Sequence, residues 1–591
     1  MNKKQLTKSV IAMALALSFA GVGAACGDFG GGGTSNATVI SVCNMGGGVG
    51  KVWLENAFER FADSVAGKSY EAGKQGVAIE IEHTTKYTLD DIGTAGYNIY
   101  FDQGQVNVQQ FAAQGKILNI NDIVVGEIEG KIDENYRPAL KYQNEYYALP
   151  HYELFPGISY DVELFDAYDL YIAAPEEENV APTEAFGYTV NFTVDSRGAD
   201  GVYGTDDDGS RRSCGNDGVY GTSDDGLPSS LVELLALCDN IAGRGWVPFA
   251  VAGSHTDYSS YFLSALTASL SGYEAMQANF TFEGEVEVVT GYTSDPLFAD
   301  LGSAGVELYK PTTNKVRVSE ETGYLTRSQS ARYYALAMLE IFEKAGWFNE
   351  ESYQNTTLHT TTQDKFIFSG KAGNKNIAML MELSQWTNEA QDSQSLANFY
   401  SYTNRTEADS ERKIAFMPLP TQVYDPVQEN QGNDNVIIDQ ATAFAFINAN
   451  IRSSGLIEAC KDFLKFIYSD GELKEFVATT GVTRAGITLD YGDEVMNRLN
   501  CFEKSMVNMT RSADVKLVAQ VGNNQTFMRN PHAFYYHLSK SAVYTTVWEG
   551  VSYSTPLDVY RKDALSDVTA KDIFEQTEIS SSTWTSNYYQ G

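Results

Sequence analysis

The sequence predicts an α/β protein of more than one lobe, and three observations carry that expectation. Short β-branched runs near the start alternate with helical periodicity, the pattern of a sheet covered by helices. A chain of 591 residues exceeds what one hydrophobic core organises, so two or more lobes are expected. A composition 43% hydrophobic and 12% aromatic is rich enough to pack them and excludes a disordered chain.

The elements follow in order. Ala37 to Val42 is apolar and β-branched, hence a strand, and Gly46 to Gly50 makes a loop. Leu54, Ala57, Phe58, Phe61, Ala62 and Val65 then recur at helical spacing on one face. Val77, Ile79 and Ile81 alternate with Glu80 and Glu82 as in a half-exposed strand, and Asn98 to Phe101 reads as a third. Sheets of this kind bind ligands beyond the carboxyl ends of their strands, which singles out the loops Asn44–Gly48 and Asp102–Gln105. A phosphate loop before Lys51 is excluded: Met45 stands where its first glycine belongs, and Val52 replaces Ser or Thr. Further strands are expected at Ile377–Glu382 and Ala441–Ile447, a turn and strand at Gly157–Tyr160, a strand then turn at Ile414–Pro420, and helices at Tyr258–Leu270 and Ser330–Lys344. Leu456, Ala459, Cys460, Phe463, Leu464 and Ile467 mark the apolar face of one more helix.

Charge narrows the partners. The 77 acidic residues against 42 basic ones argue against nucleic acid and against an anionic membrane surface as the main partner. The 36 tyrosines offer flat apolar faces with polar tips, suited to sugar recognition, although ordinary packing accounts for most. Five cysteines besides Cys26 cannot all pair internally, and their spacing fits no metal pattern. Cys43, Cys238 and Cys460 read as small buried hydrophobes, while Cys214 and Cys238 could bridge.

The first 25 residues read as a leader. Lys3, Lys4 and Lys8 precede an apolar stretch from Val10 to Ala20, too short to span a bilayer, and Gly23, Ala24 and Ala25 suit a signal peptidase. Cys26 and the Gly-rich run behind it resemble a bacterial lipoprotein signal, which implies lipid on the Cys26 thiol and a flexible linker over residues 26–38. An ordinary secretory leader with an incidental cysteine is the alternative.

One segment repeats itself. Asp200-Gly-Val-Tyr-Gly-Thr-Asp-Asp-Asp-Gly209 recurs as Asp217-Gly-Val-Tyr-Gly-Thr-Ser-Asp-Asp-Gly226, seventeen residues on. Asp200, Asp206, Asp207, Asp208, Asp217, Asp224 and Asp225, held between glycines, are candidate ligands for a structural calcium ion, which accepts irregular oxygen coordination. A solvated acidic loop is the alternative. Ser230 and Glu233 stand at capping-box spacing to open a helix behind the repeat.

Six segments, in order, resemble the extracellular solute-binding proteins of family 1, the lipoprotein components of bacterial ABC importers: GGVGKVWLENAFERF, NIYFDQGQVNVQQFAAQGKILNINDIV, NEYYALPHYELFPGISYDVELF, IAMLMELSQWTNEA, KIAFMPLP and EACKDFLKFIYSDGELKEFVATTGVTRAG. The resemblance implies a two-lobed clamp of the periplasmic-binding-protein kind, each lobe a sheet flanked by helices, joined by a three-segment hinge. Lobe one would comprise 39–154 and 440–483. Lobe two would comprise 155–439, with the acidic repeat at 195–226 as an insertion, and 484–591. The expected ligand residues are Asn44, Asp102 and Gln103 at strand ends, His151 and Tyr152 at the first crossing, His255, Trp386 as a stacking aromatic or a core residue, and Arg484 at the third crossing. The implied function is capture of a carbohydrate, an oligosaccharide above all, by a monomeric protein anchored outside the cell membrane, with delivery to an ABC permease.

Two alternatives stay open: a surface carbohydrate-binding adhesin or scavenging lipoprotein, and a glycoside hydrolase whose carboxylate pair is hidden among many. No His-Glu-x-x-His, Gly-x-Ser-x-Gly or recognisable Cys/His arrangement is present in the sequence, so no enzyme is expected.

Overall fold

A computed structural model describes residues 36–45, 48–84, 90, 92–94, 96–103, 107–253, 256–350, 359–439, 441, 443–511, 515–519, 547–548, 551–552 and 567–589. The leader, Cys26 and His255 lie outside the described residues. Among the described residues no helix is long and apolar enough to cross a membrane.

The strands that build the frame are, in chain order, β1 (Thr38–Met45), β2 (Val77–Thr84), β3 (Ile99–Gln103), β4 (Leu149–Pro150), β5 (Pro156–Asp161), β6 (Val247–Ala250), β7 (Ile377–Leu383), β8 (Ile414–Met417), β9 (Asn435–Asp439), β10 (Ala443–Ile447) and β11 (Val515–Ala519). They form two separate main sheets. The first has the order β2–β1–β3–β10–β4, with β1 parallel to β2 and β3 and with β10 antiparallel to its neighbours. The second has the order β6–β7–β5–β8, where β6 runs parallel to β7 and β5 runs antiparallel to β7 and β8. A third, two-stranded parallel pair joins β9 to β11. The chain is therefore an α/β protein with two sheet-centred lobes.

Helices cover lobe one because their apolar stripes match its sheet. Val52–Ser64 buries Trp53, Leu54, Ala57, Phe58 and Phe61, and Ser454–Ile467 buries Ala459, Cys460, Phe463, Leu464 and Ile467. The two stripes meet where Phe463 packs on Phe58 and Phe61, with ring centroids 5.7 and 5.2 Å apart. Each such ring contributes about 2–3 kcal/mol of burial. In lobe two, Leu231–Gly243 starts on the capping box of Ser230 and Glu233. Ser330–Lys344 packs against the C-terminal Ala570–Gln576, whose Ala570 N–H donates to buried Glu340. A long antiparallel hairpin, Gly284–Pro296 with Tyr309–Val318, packs its first strand on the helices Tyr273–Thr281 and Ser330–Lys344.

One detail departs from the sequence reading. Cys214 and Cys238 are both buried free thiols, with Cys238 in the interior of the Leu231–Gly243 helix. The two acidic repeats fold as near copies whose carboxylates hold their own backbone. Asp207 Oδ2 accepts from Ala199 and Asp200 N–H at 2.7 and 3.1 Å, and Asp224 Oδ2 accepts from Asn216 and Asp217 at 2.7 and 3.2 Å. Asp200 and Asp217 each cap the N–H two residues on, while Asp208 and Asp225 each receive the N–H four residues before. Such Asx-type capping accounts for the repeated spacing by itself. Among the described residues no three His, Cys, Asp or Glu side chains gather as a metal site.

Candidate functional site

Three segments carry the chain between the lobes: the link from β4 to β5, the link from β9 to β10, and the stretch after Thr480. They are bound to one another by buried polar contacts. His151 N–H donates to Ala443 O at 2.9 Å, and Glu153 N–H donates to Thr483 O at 2.9 Å. The Asp439 carboxylate accepts from Leu154 N–H at 2.8 Å and from Ala441 N–H at 2.6 Å, so one side chain ties two crossings. Thr483 Oγ1 donates to Glu153 Oε2, and Arg484 Nη1 meets His151 Nδ1 at 2.6 Å.

The charges in this knot are set by burial. Burial, and then the Arg484 guanidinium, push His151 well below the usual histidine range, so its ring is neutral. Arg484 must donate, hence Nδ1 accepts and the ring proton sits on Nε2. Burial raises the Asp439 carboxyl to about 7, opposed by its backbone hydrogen bonds and reinforced by Glu153. Arg484 is enclosed by Phe476, Trp53 and Tyr468, with its guanidinium 3.8, 4.7 and 5.1 Å from the ring centroids. It is a buried hinge residue.

The carboxyl ends of β1, β2 and β3 face lobe two beside this knot. Asn44 is buried near the end of β1; its Nδ2 donates to Gly50 O at 2.9 Å and lies 3.0 Å from His83 Nδ1 on β2. Asp102 is fully buried in β3, while Gln103 is half-buried at the strand end. Tyr152 is buried with Asp102 on one side and Glu389 of lobe two near enough to raise its hydroxyl pKa further, after burial itself. Gly48 adopts φ +86° and packs so closely that a Cβ there would lie 2.8 Å from Tyr152 Oη and 3.0 Å from Gln385 Cγ. The loop after β1 thus touches lobe two across the hinge, and Asn388 Nδ2 donates to Thr480 O at 3.1 Å nearby.

The lobe-two wall is acidic. Glu382 is the penultimate residue of β7 and Glu389 lies on the short helix Trp386–Asp392; Gln363 Nε2 donates to both, at 3.2 and 2.9 Å. His359 Nε2 lies 3.6 Å from Glu389 Oε2, and Tyr258 stacks on the His359 ring. Several buried polar atoms around the cleft have no hydrogen-bond partner: Asn44 Oδ1, Trp53 Nε1, His151 Nε2, Gln363 Oε1 and Gln385 Oε1. Buried polar atoms are normally paired, so these five are candidates to meet another molecule.

Trp386 is not in the cleft. It is wholly buried in lobe two, donates from Nε1 to Ser159 Oγ at 2.9 Å, and packs on Phe366 and Phe502 at centroid distances of 5.9 and 5.5 Å. The helix that it starts instead places its neighbour Gln385 against Gly48. A cavity of about 1120 Å³ lies elsewhere, between the hairpin, β11 and the Gly486–Thr488 stretch, with Glu153 in its lining. The site is assigned to the Tyr152 side of the crossing, where the strand ends and the unpartnered atoms lie.

The chain is similar in fold to extracellular solute-binding proteins. One solved structure, described under xylan utilisation by the thermophilic bacterium Caldanaerobius polysaccharolyticus, is 13% identical at TM-score 0.49, covering 91% of this chain and 99% of that one. The solute-binding protein RafE in complex with raffinose is 10% identical at TM-score 0.49, covering 92% and 99%; RafE is from Streptococcus pneumoniae. A family 1 extracellular solute-binding protein from Bifidobacterium longum subsp. infantis is 13% identical at TM-score 0.45, covering 93% and 99%. No protein-family profile and no curated protein matches the chain.

Sequence reasoning missed Trp53, His83, Gln363, Glu382, Gln385 and Glu389. Glu382 carried a readable signal, a lone charge inside the apolar run Ile377–Leu383. Trp53 reads as one more core aromatic, and the others are ordinary polar positions until the three crossings bring the lobes together.

Proposed function

We propose that this protein captures a carbohydrate in the cleft between its lobes by hinge closure and releases it unchanged. The observation that supports this reading is the set of unpartnered atoms. Trp53 Nε1 and His151 Nε2 offer N–H donors, while Asn44, Gln363 and Gln385 offer carbonyl acceptors. Hydroxyl groups both donate and accept, so a polyol is the ligand class that answers both kinds at once. Closure brings Gln385 of lobe two to Gly48 of lobe one and buries the ligand, which shifts the equilibrium only by its differential affinity for the closed form. In the same reading the protein is a monomer held outside the cell membrane by lipid on Cys26 and delivers its solute to an ABC permease.

A thermal-shift screen over neutral and charged mono- and oligosaccharides, with product analysis after long incubation, tests it. The expected result is stabilisation by a subset without chemical change. Cleavage of a bound saccharide would move the reading to a hydrolase, and binding without closure would favour an adhesin.

Calcium at the acidic repeat is a separate proposal that rests on the sequence. The aspartates accept backbone amides there, and a carboxylate with about four lone-pair sites keeps capacity for an ion as well. A lower melting temperature on adding chelator supports it; no change in a calcium-replete sample removes it.

A further inference from the structure

The lobe-two wall contains an arrangement that neutral hydroxyls do not explain. Glu382 and Glu389 share the single amide of Gln363. Its Nε2 donates to both carboxyl groups, which leaves Gln363 Oε1 as a carbonyl acceptor, buried and unpartnered. Gln385, at the start of the helix that carries Glu389, likewise leaves a buried, unpartnered Oε1. Asn44 follows the same rule from lobe one: its Nδ2 serves Gly50 O, so Oδ1 is the atom left over.

The wall thus combines two carboxyl groups with an excess of acceptors and no matching cation. Among the described residues no lysine or arginine forms an ion pair with Glu382 or Glu389, and the neighbour able to carry a charge is His359. Burial, and then the charge of Glu389, hold the Glu382 carboxyl well above its ordinary range. Asp392 adds a further acid beside Glu389. A buried carboxyl bridged through a neutral amide to a half-buried one is costly as a charged pair unless a proton or a cation completes it.

We propose that this wall receives an ammonium group, so that the carbohydrate captured is an amino sugar with a free amine. The inference rests on the carbohydrate reading above and narrows it. An ammonium has three donors and no acceptor, which suits a pocket of carboxylates and carbonyl oxygens. Its hydrogen bonds to carboxylates are about twice as strong as neutral ones. An N-acetylated amine has lost the charge and two of those donors.

The test is calorimetry on three matched series: glucose with cello-oligosaccharides, N-acetylglucosamine with chito-oligosaccharides, and glucosamine with chitosan oligosaccharides. The amine series is expected to bind at least tenfold more tightly than its matched partners. Glu389→Gln, which keeps the side-chain volume at a partly exposed position, is expected to bring that preference close to unity. Equal or tighter binding of the neutral or acetylated series overturns the inference and leaves the carbohydrate reading in place. Failure of every saccharide, in these series and in the broader thermal-shift panel, overturns both.

Discussion

Asp439 shows how one side chain couples the hinge to pH. Its carboxyl titrates at about 7 against an ordinary 3.8, so between these values the folded protein holds a proton that the unfolded chain has released. Stability from this group is therefore greatest below about pH 4, declines as pH rises toward 7, and is level above. The three-unit difference is worth about 4 kcal/mol at most. Urea unfolding of the wild type and Asp439→Asn from pH 4 to 8 should give curves that differ in slope across that window. Parallel curves would show that Asp439 does not titrate there. Residue-level reading from sequence was uneven at this knot: His151 and Arg484 were singled out as ligand contacts, and both lie in it. Asp439 and Glu153 carried no sequence signal, because their importance depends on backbone amides contributed by other crossings.

At the scale of elements, the two acidic turns offer a controlled comparison, because nearly the same sequence sits in two environments. Asp224 is 4% exposed, whereas Asp207 is on the surface. Asp224→Ala strands two amide donors, one of them on the buried Asn216, and should cost about 2–4 kcal/mol in denaturant unfolding. Asp207→Ala, with water available to the freed amides, should cost far less; equal losses would contradict the role of burial. The loop after β1 gives a second test. Gly48→Ala places a methyl against Tyr152 and Gln385 at a φ that favours glycine, so the lobes should no longer approach. Its saccharide affinity should fall at least tenfold with little change in melting temperature, and unchanged affinity would remove this contact from the closure. Helices and strands with strong periodicity were legible: Ser330–Lys344 was expected over the same residues, and β7 and β10 to within one or two. The hairpin Gly284–Pro296 with Tyr309–Val318 was missed, although Glu285-Val286-Glu287-Val288 alternates clearly, because its strands are separated by a long connection.

At the scale of the whole molecule, the order of six short segments made the two-lobed plan legible where composition gave only the number of lobes. The site was less legible, since its walls come from β1, β2, β3, β7 and the three helices Val52–Ser64, His359–Ile367 and Trp386–Asp392, which meet only after three crossings. The central claim is that two lobes close on a carbohydrate without altering it. Small-angle X-ray scattering on the protein with and without each saccharide that raises its melting temperature measures this most directly. The account predicts a smaller radius of gyration with the bound saccharide and recovery of that saccharide intact. An identical scattering profile across every stabilising saccharide, or a chemically changed saccharide, would contradict it.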